Sequence, residues 1–190
     1  TIYCQTGSGN NNSCDTSQAD PVAQNLPISD DDISKWENDA TNGGTTNGNV
    51  TISSPTAIGP RKIAGNLTIN SILTITGTIY ATGNIIVNGT VKLDSSFGAM
   101  SGILMSDGYI IINNGVIFQD SGTLGSYILL LSKSACDASI LDSPCNGNNA
   151  IQVSNNSNIS IVNAQKGTVY FRNNATVKEA VGNTIFLKNN

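Results

Sequence analysis

Residues 63–93 alternate strictly between apolar and polar positions. Ile63, Leu67, Ile69, Leu73, Ile75, Ile79, Ala81, Ile85, Val87, Val91 and Leu93 take odd positions, and Gly65, Ser71, Gly77, Gly83 and Gly89 fill the odd positions between them. The even positions are mainly Asn, Thr and Lys, with Ile72, Tyr80 and Ile86 as exceptions. Successive side chains of a strand point to opposite faces, so a period of two marks β-structure with one buried face. As a single strand this stretch would run roughly 100 Å at ~3.3 Å per residue. Strands in globular domains are far shorter, so the chain must bend repeatedly.

The small residues mark the bends. Gly59, Gly65, Ser71, Gly77, Gly83 and Gly89 lie six apart, with two inward apolar residues between neighbours. Six residues per side and three sides per turn predict a β-solenoid with about 18 residues per triangular coil, in which Leu67 stacks on Ile85, Ile69 on Val87 and Leu73 on Val91. A hairpin meander would also alternate, but nothing in it would keep a six-residue spacing. The same register returns near the end: Ile151, Val169 and Leu187 are 18 apart, as are Val153 and Phe171, Ile159 and Val177, and Asn155 and Asn173. Stacked Asn side chains can form an amide ladder along the axis. Between these regions, 94–108 and 132–149 break the spacing and read in part as loops inserted at corners. Residues 109–113 and 127–131 keep the strand pattern.

One helix is predicted, over 30–41. Ser29 is a suitable N-cap, and Asp30, Asp31 and Asp32 sit in the first turn, where the helix dipole favours anions. Ile33, Trp36 and Ala40 share a face, and Thr41-Asn42-Gly43-Gly44 stops the helix. About three turns do not persist alone, so Ile33 and Trp36 are expected to dock on the first coil or on a flank. The reading is an all-β chain: an irregular segment plus helix over 1–47, then the solenoid over 48–190.

Composition agrees. The chain holds 26 Asn, 19 Gly, 21 Ser and 18 Thr beside 23 Ile and 10 Val, a mixture of turn and strand formers that excludes a mostly helical protein. The abundance of β-branched apolar residues also argues against disorder. The net charge is −4, with no His. Residues 1–40 carry −6 and the remainder +2, and no basic patch is large enough to track phosphates, so nucleic acid is not an expected partner. No apolar run approaches the ~18 residues of a membrane span. The chain does not begin with Met and shows no signal peptide, which suggests a mature or excised piece.

Four cysteines fall into two local pairs, Cys4 with Cys14 and Cys136 with Cys145, each enclosing turn-rich residues. Without His a zinc site would need all four thiolates. Two local disulfides are the better reading over free thiols, and they point to an oxidising, extracellular or cell-surface setting.

A search for chemistry finds little. Beyond residue 60 the acids are Asp94, Asp107, Asp120, Asp137, Asp142 and Glu179, and no two share a coil position. Arg61 and Arg172 are the only arginines. Polysaccharide lyases and hydrolases need grouped carboxylates, so no catalytic residue, metal ligand or cofactor is assigned. Asp30–Asp32 lack the spaced oxygens of a Ca²⁺ loop and read as a helix start. No nucleophile elbow, P-loop or dinucleotide fingerprint is present. Thr74, Thr76 and Thr78 are adjacent along one side but face Lys92 and Asp94 one coil on, which breaks the regular row of hydroxyls that ice binding needs. Seven Asn-x-Ser/Thr sequons, at Asn11, Asn49, Asn66, Asn88, Asn155, Asn158 and Asn174, permit glycosylation without showing it.

The text IGPRKIAGNLTINSILTITGTIYATGNIIVNGTVKL at residues 58–93 resembles the bactofilin family of polymer-forming solenoids. The resemblance rests on a repeat pattern over about two thirds of the chain. It implies a right-handed parallel β-helix that is not an enzyme and stacks end to end into filaments without nucleotide. The Cys pairs, the insertions and the acidic helical preface depart from that family and look similar to exported bacterial surface solenoids with pilin-like anchors. The expected function is a structural subunit of a surface filament or layer, partnered by its own copies through Ile185, Phe186 and Leu187 on the last coil. No helix, Pro or charge cluster follows these residues in the sequence to guard that edge. A carbohydrate-binding or adhesive module contacting cell-surface glycans is the alternative, and a polysaccharide-lyase-like enzyme the third reading.

Overall fold

The computed structural model describes residues 2–3, 14–15, 28–139 and 145–188. Two short strands, β1 (Ile2–Tyr3) and β2 (Cys14–Asp15), pair in parallel with each other. Helix α1 (Asp30–Asn42) follows, then β3 (Thr45–Asn47), β4 (Val50–Ile52), β5 (Thr56–Ile58), β6 (Arg61–Ala64), β7 (Leu67–Ile69), β8 (Leu73–Ile75), β9 (Ile79–Ala81), β10 (Ile85–Val87) and β11 (Val91–Leu93). The later strands are β12 (Gly102–Ser106), β13 (Ile110–Ile112), β14 (Phe118–Gln119), β15 (Ile128–Ser132), β16 (Ile151–Val153), β17 (Ile161–Phe171) and β18 (Glu179–Leu187). Among the described residues the fold is all-β and parallel apart from α1 and a short 3-10 turn at Ser95–Phe97. The sheet takes in Thr45–Asn47, so it begins ahead of the boundary expected at 48.

From β3 to β13, each strand pairs in parallel with the strand three places later. This gives three columns. The first runs β3-β6-β9-β12-β15, the second β4-β7-β10-β13-β16 and the third β5-β8-β11-β14. The first two join through β17, whose start pairs with β15 and whose end pairs with β16, and β18 runs alongside β17. The expected stacking is present: Leu67 beside Ile85, Ile69 beside Val87 and Leu73 beside Val91. These inward residues form one buried cluster along the columns, from Ile52 to Phe171.

Small corner residues are a packing requirement. A Cβ on Gly89 would collide with the backbone carbonyl of Ser71 one level away, and a backbone that carries its own ladder hydrogen bonds cannot step aside. Polar corners are tied as well. Asn88 donates from Nδ2 to Asn70 Oδ1 at 2.6 Å, Asn113 does the same to Asn88, and the backbone N–H of Asn84 donates to Asn66 Oδ1.

Three expectations need correction. Val169 lies beside Ile185, and Leu187 beside Phe171, because β18 loses residues against β17 at an irregularity between Ala164 and Thr168. The amide ladder forms at Asn156 and Asn174, not at Asn155 and Asn173, since Asn156 and Asn174 are the turn residues that adopt positive φ. Gly102–Ser106, inside the first expected loop region, is a strand that pairs with both β9 and β15. Helix α1 lies on a flank of the first column, one of the two places expected for it.

Candidate functional site

The helix begins as its residues dictate. Ser29 has extended backbone angles, and its hydroxyl accepts from the Asp32 N–H, capping the first turn. The Ser29 hydroxyl also donates to the Asp32 carboxylate, which holds that carboxyl below the usual range. The face it buries carries Ile33 and Ala40. They meet Tyr80, Met105 and Leu131, three outward residues of β9, β12 and β15 that sit in register up the first column. Trp36 is half-buried and packs on the same cluster. Tyr80, an exception to the alternation in sequence, is buried because the helix covers it.

Docking also gathers charge. Tyr80 Oη donates to Asp107 Oδ2 at 2.6 Å. Lys133 Nζ lies 2.6 Å from Asp107 Oδ1 and donates to Glu37 Oε1 of the helix. Lys133 and Lys62 also stand over the Tyr80 ring, each 5.5 Å from its centroid. Asp107 Oδ1 is buried, and the Lys133 ammonium is its ion-pair partner. Burial alone would lower the Lys133 pKa, but the carboxylates of Asp107 and Glu37 outweigh it and hold the ammonium above its ordinary range. Burial, the Asp107 hydrogen bond and the two negative charges push the Tyr80 phenol well up. Nothing in the spacing of Glu37, Asp107 and Lys133 signals this cluster; only Tyr80, apolar in body on a polar face, marked the place.

The expected assembly residues lie on the edge strand. Ile185, Phe186 and Leu187 are 46%, 52% and 72% exposed. Among the described residues β18 pairs with β17 alone. Phe186 stacks on Tyr170, with centroids 5.3 Å apart. Ile185 and Leu187 rim an open hollow of about 520 Å³ floored by Phe171, Ala175, Val177 and Ala180. At the other end, among the described residues, β3, β4 and β5 each pair on one side only, around a hollow of about 420 Å³ lined by Val50, Ile58 and Ile63.

Cys136 and Cys145 form a disulfide with Cα atoms 5.6 Å apart. Cys136 is fully buried, and its carbonyl accepts from the N–H groups of Ala150 and Thr168, which anchors the loop on β17. Cys4 lies outside the described residues, and Cys14 is in β2. Among the other acids beyond residue 60, Glu179 opens β18, and Asp94, Asp120 and Asp137 serve local turns. Asp94 accepts from the Ser96 N–H, Asp120 from the Gly122 N–H and Asp137 from Ser139. Asp142 lies outside the described residues. Among the described residues no three Cys, Asp or Glu side chains gather in a way that could hold a metal ion, and no helix is long and apolar enough to cross a membrane. No protein-family model, curated protein or solved structure matches the chain.

Proposed function

We propose that the chain is a right-handed β-solenoid on the bactofilin-like pattern and works as a non-enzymatic structural subunit at the cell surface, with copies adding end to end. The strand-to-strand offset supports the solenoid: Leu67 to Ile85 and Ile151 to Val169 are both one 18-residue coil. The observation that carries the function is the pair of ends that are open among the described residues. An unpaired strand row invites pairing with another chain, and a solenoid that is soluble as a monomer needs polar caps. Here β18 presents apolar side chains and an unpaired backbone together. A second copy offering its β3–β5 edge would satisfy both while continuing the parallel columns.

Charge favours that head-to-tail mode only weakly, because the acids of α1 lie on the flank, with Asp30 beside Lys166 and Glu37 beside Lys133. Residues 1–40 carry −6, while residues 151–190 carry four bases and one acid. Such a contact is heterologous and propagates into an open filament. The disulfide Cys136–Cys145 accords with an extracellular setting. Sedimentation velocity and negative-stain microscopy of the purified protein over a concentration series are expected to show end-to-end polymers that shorten as salt screens the charges. A single monomeric species at high concentration would refute assembly and leave a monomeric adhesive module in its place.

A further inference from the structure

We propose that a hollow on the outer face of β17 and β18, walled by the loop that Cys136 anchors, binds one neutral sugar ring of a glycan. The strand register assembles the site. Thr168 and Tyr170 occupy alternate positions of β17 and stand on its outer face, since Val169 between them is buried in the core. Thr184 and Phe186 lie beside them on β18, in register. Asp137 and Asn149, from the two ends of the loop, close the other side. The hollow they line measures about 240 Å³.

A sugar ring has a C–H face and a rim of hydroxyls, and the hollow offers partners for both. Tyr170 and Phe186 are parallel to within 5°, with centroids 5.3 Å apart, so the two rings form one rigid apolar wall. Asn149 is only 6% exposed. Its Oδ1 accepts from the Ala138 N–H at 3.0 Å, which fixes the amide, while its Nδ2 donates to no described residue. A donor held at the wall of a hollow without a protein acceptor calls for an oxygen from outside. The hydroxyls of Thr184 and Ser139, both exposed residues, stand at the open side, where they can donate or accept.

Charge and size select the class of ligand. Hydrogen bonds from Ser139 hold the Asp137 carboxyl below its ordinary range, so it is negative at neutral pH and disfavours acidic sugars. The Arg172 guanidinium already stands 5.8 Å from the Tyr170 centroid, which opposes a second cation at the rings. A neutral polyhydroxyl ligand meets neither objection. The volume is below the ~300 Å³ at which sites for drug-sized ligands begin, so it takes one ring, and the open side leaves the rest of a glycan in water. The site is complete in one copy. Ile185 and Leu187 point to the opposite face of β18 from Phe186, so sugar binding is separate from end-to-end contact.

Saturation-transfer difference NMR of the purified wild-type chain tests the site, with the methyl glycosides of glucose, galactose and mannose and with N-acetylglucosamine as probes. A single ring in such a site binds at about 1 mM, so transfer to the C–H protons of at least one probe is expected at about 10 mM. In the nitrogen-15-labelled chain that probe should shift the Asn149 side-chain amide and the backbone amides of Ser139 and Thr184. Phe186→Ala removes a half-exposed ring from the edge strand and should weaken binding about tenfold with an unchanged circular-dichroism spectrum. Asn149→Asp keeps the acceptor for Ala138, loses the donor and should weaken binding by about the same factor. No transfer from any probe overturns the proposal. So does binding that survives both substitutions unchanged, or shifts confined to other residues. Uptake of tetramethylammonium in preference to every sugar probe would make the hollow a cation cage and overturns it too.

Discussion

The double substitution Ile185→Lys with Leu187→Lys separates assembly from folding. Both side chains are already largely in water, 46% and 72% exposed, so the monomer has little to lose; surface changes of this kind stay within about 0.5 kcal/mol. Assembly has more to lose. Full burial of an Ile or Leu side chain contributes about 1.5–3 kcal/mol. Covering the exposed half of Ile185 and the larger exposed part of Leu187 therefore contributes about 3 kcal/mol at each end-to-end contact. At 1.4 kcal/mol per decade, removing it raises the dissociation constant of the contact by about 100-fold. Two ammonium groups facing an apolar end add a desolvation cost on top. Sedimentation velocity should show the variant monomeric at concentrations where wild type polymerises, with an unchanged circular-dichroism melt. A variant that polymerises at the wild-type concentration would refute the role of β18, and a variant that no longer folds would refute its peripheral place.

Other perturbations test the remaining links. Gly89→Ala drives a methyl group into the Ser71 carbonyl; overpacking of this kind costs about 3 kcal/mol, which thermal denaturation should register as a fall of several degrees. Trp36→Ala removes a half-buried aromatic from the α1 contact and should cost about 2 kcal/mol by denaturant unfolding, below the figure for a fully buried ring. Replacing Cys136 and Cys145 with Ser opens a short loop and should cost about 2–3 kcal/mol, measured as a lower denaturant midpoint than wild type under the same oxidising conditions. Hydrogen bonds from Ser29, Ser96 and Ser139 hold the carboxyls of Asp32, Asp94 and Asp137 below the ordinary 3.8. Their contribution is present above that value and is lost as pH falls through the folded pKa values, so stability should begin to drop below about pH 4, and Asp94→Asn should reduce the acid slope.

Most of the architecture is legible in the chain because period and spacing are local properties. A period of two with small residues every sixth position dictates both which side chains face inward and where the backbone turns. The pairs Leu67–Ile85 and Leu73–Val91 follow by counting. The helix is legible for the same reason, since capping and dipole effects act within one turn. Counting fails where an irregularity intervenes, as between Ala164 and Thr168, which moves Val169 from Leu187 to Ile185. A bulge is set by how two strands fit, and no local motif announces it.

The long-range features belong to the tertiary structure alone. The sequence by itself determined an inward apolar column, its corners and a short amphipathic helix that had to dock somewhere. It did not determine the docking place, because a short apolar helix face can fit any apolar surface of matching size. The folded chain offers one in Tyr80, Met105 and Leu131, far apart in sequence and adjacent in register. Docking there carries Glu37 to Lys133, and the strand pairing of Ser106 with Ser132 brings Lys133 to Asp107. Those charges are ordinary turn and helix residues when taken one at a time. They become one charged cluster only when the columns set their distances and the helix covers one side.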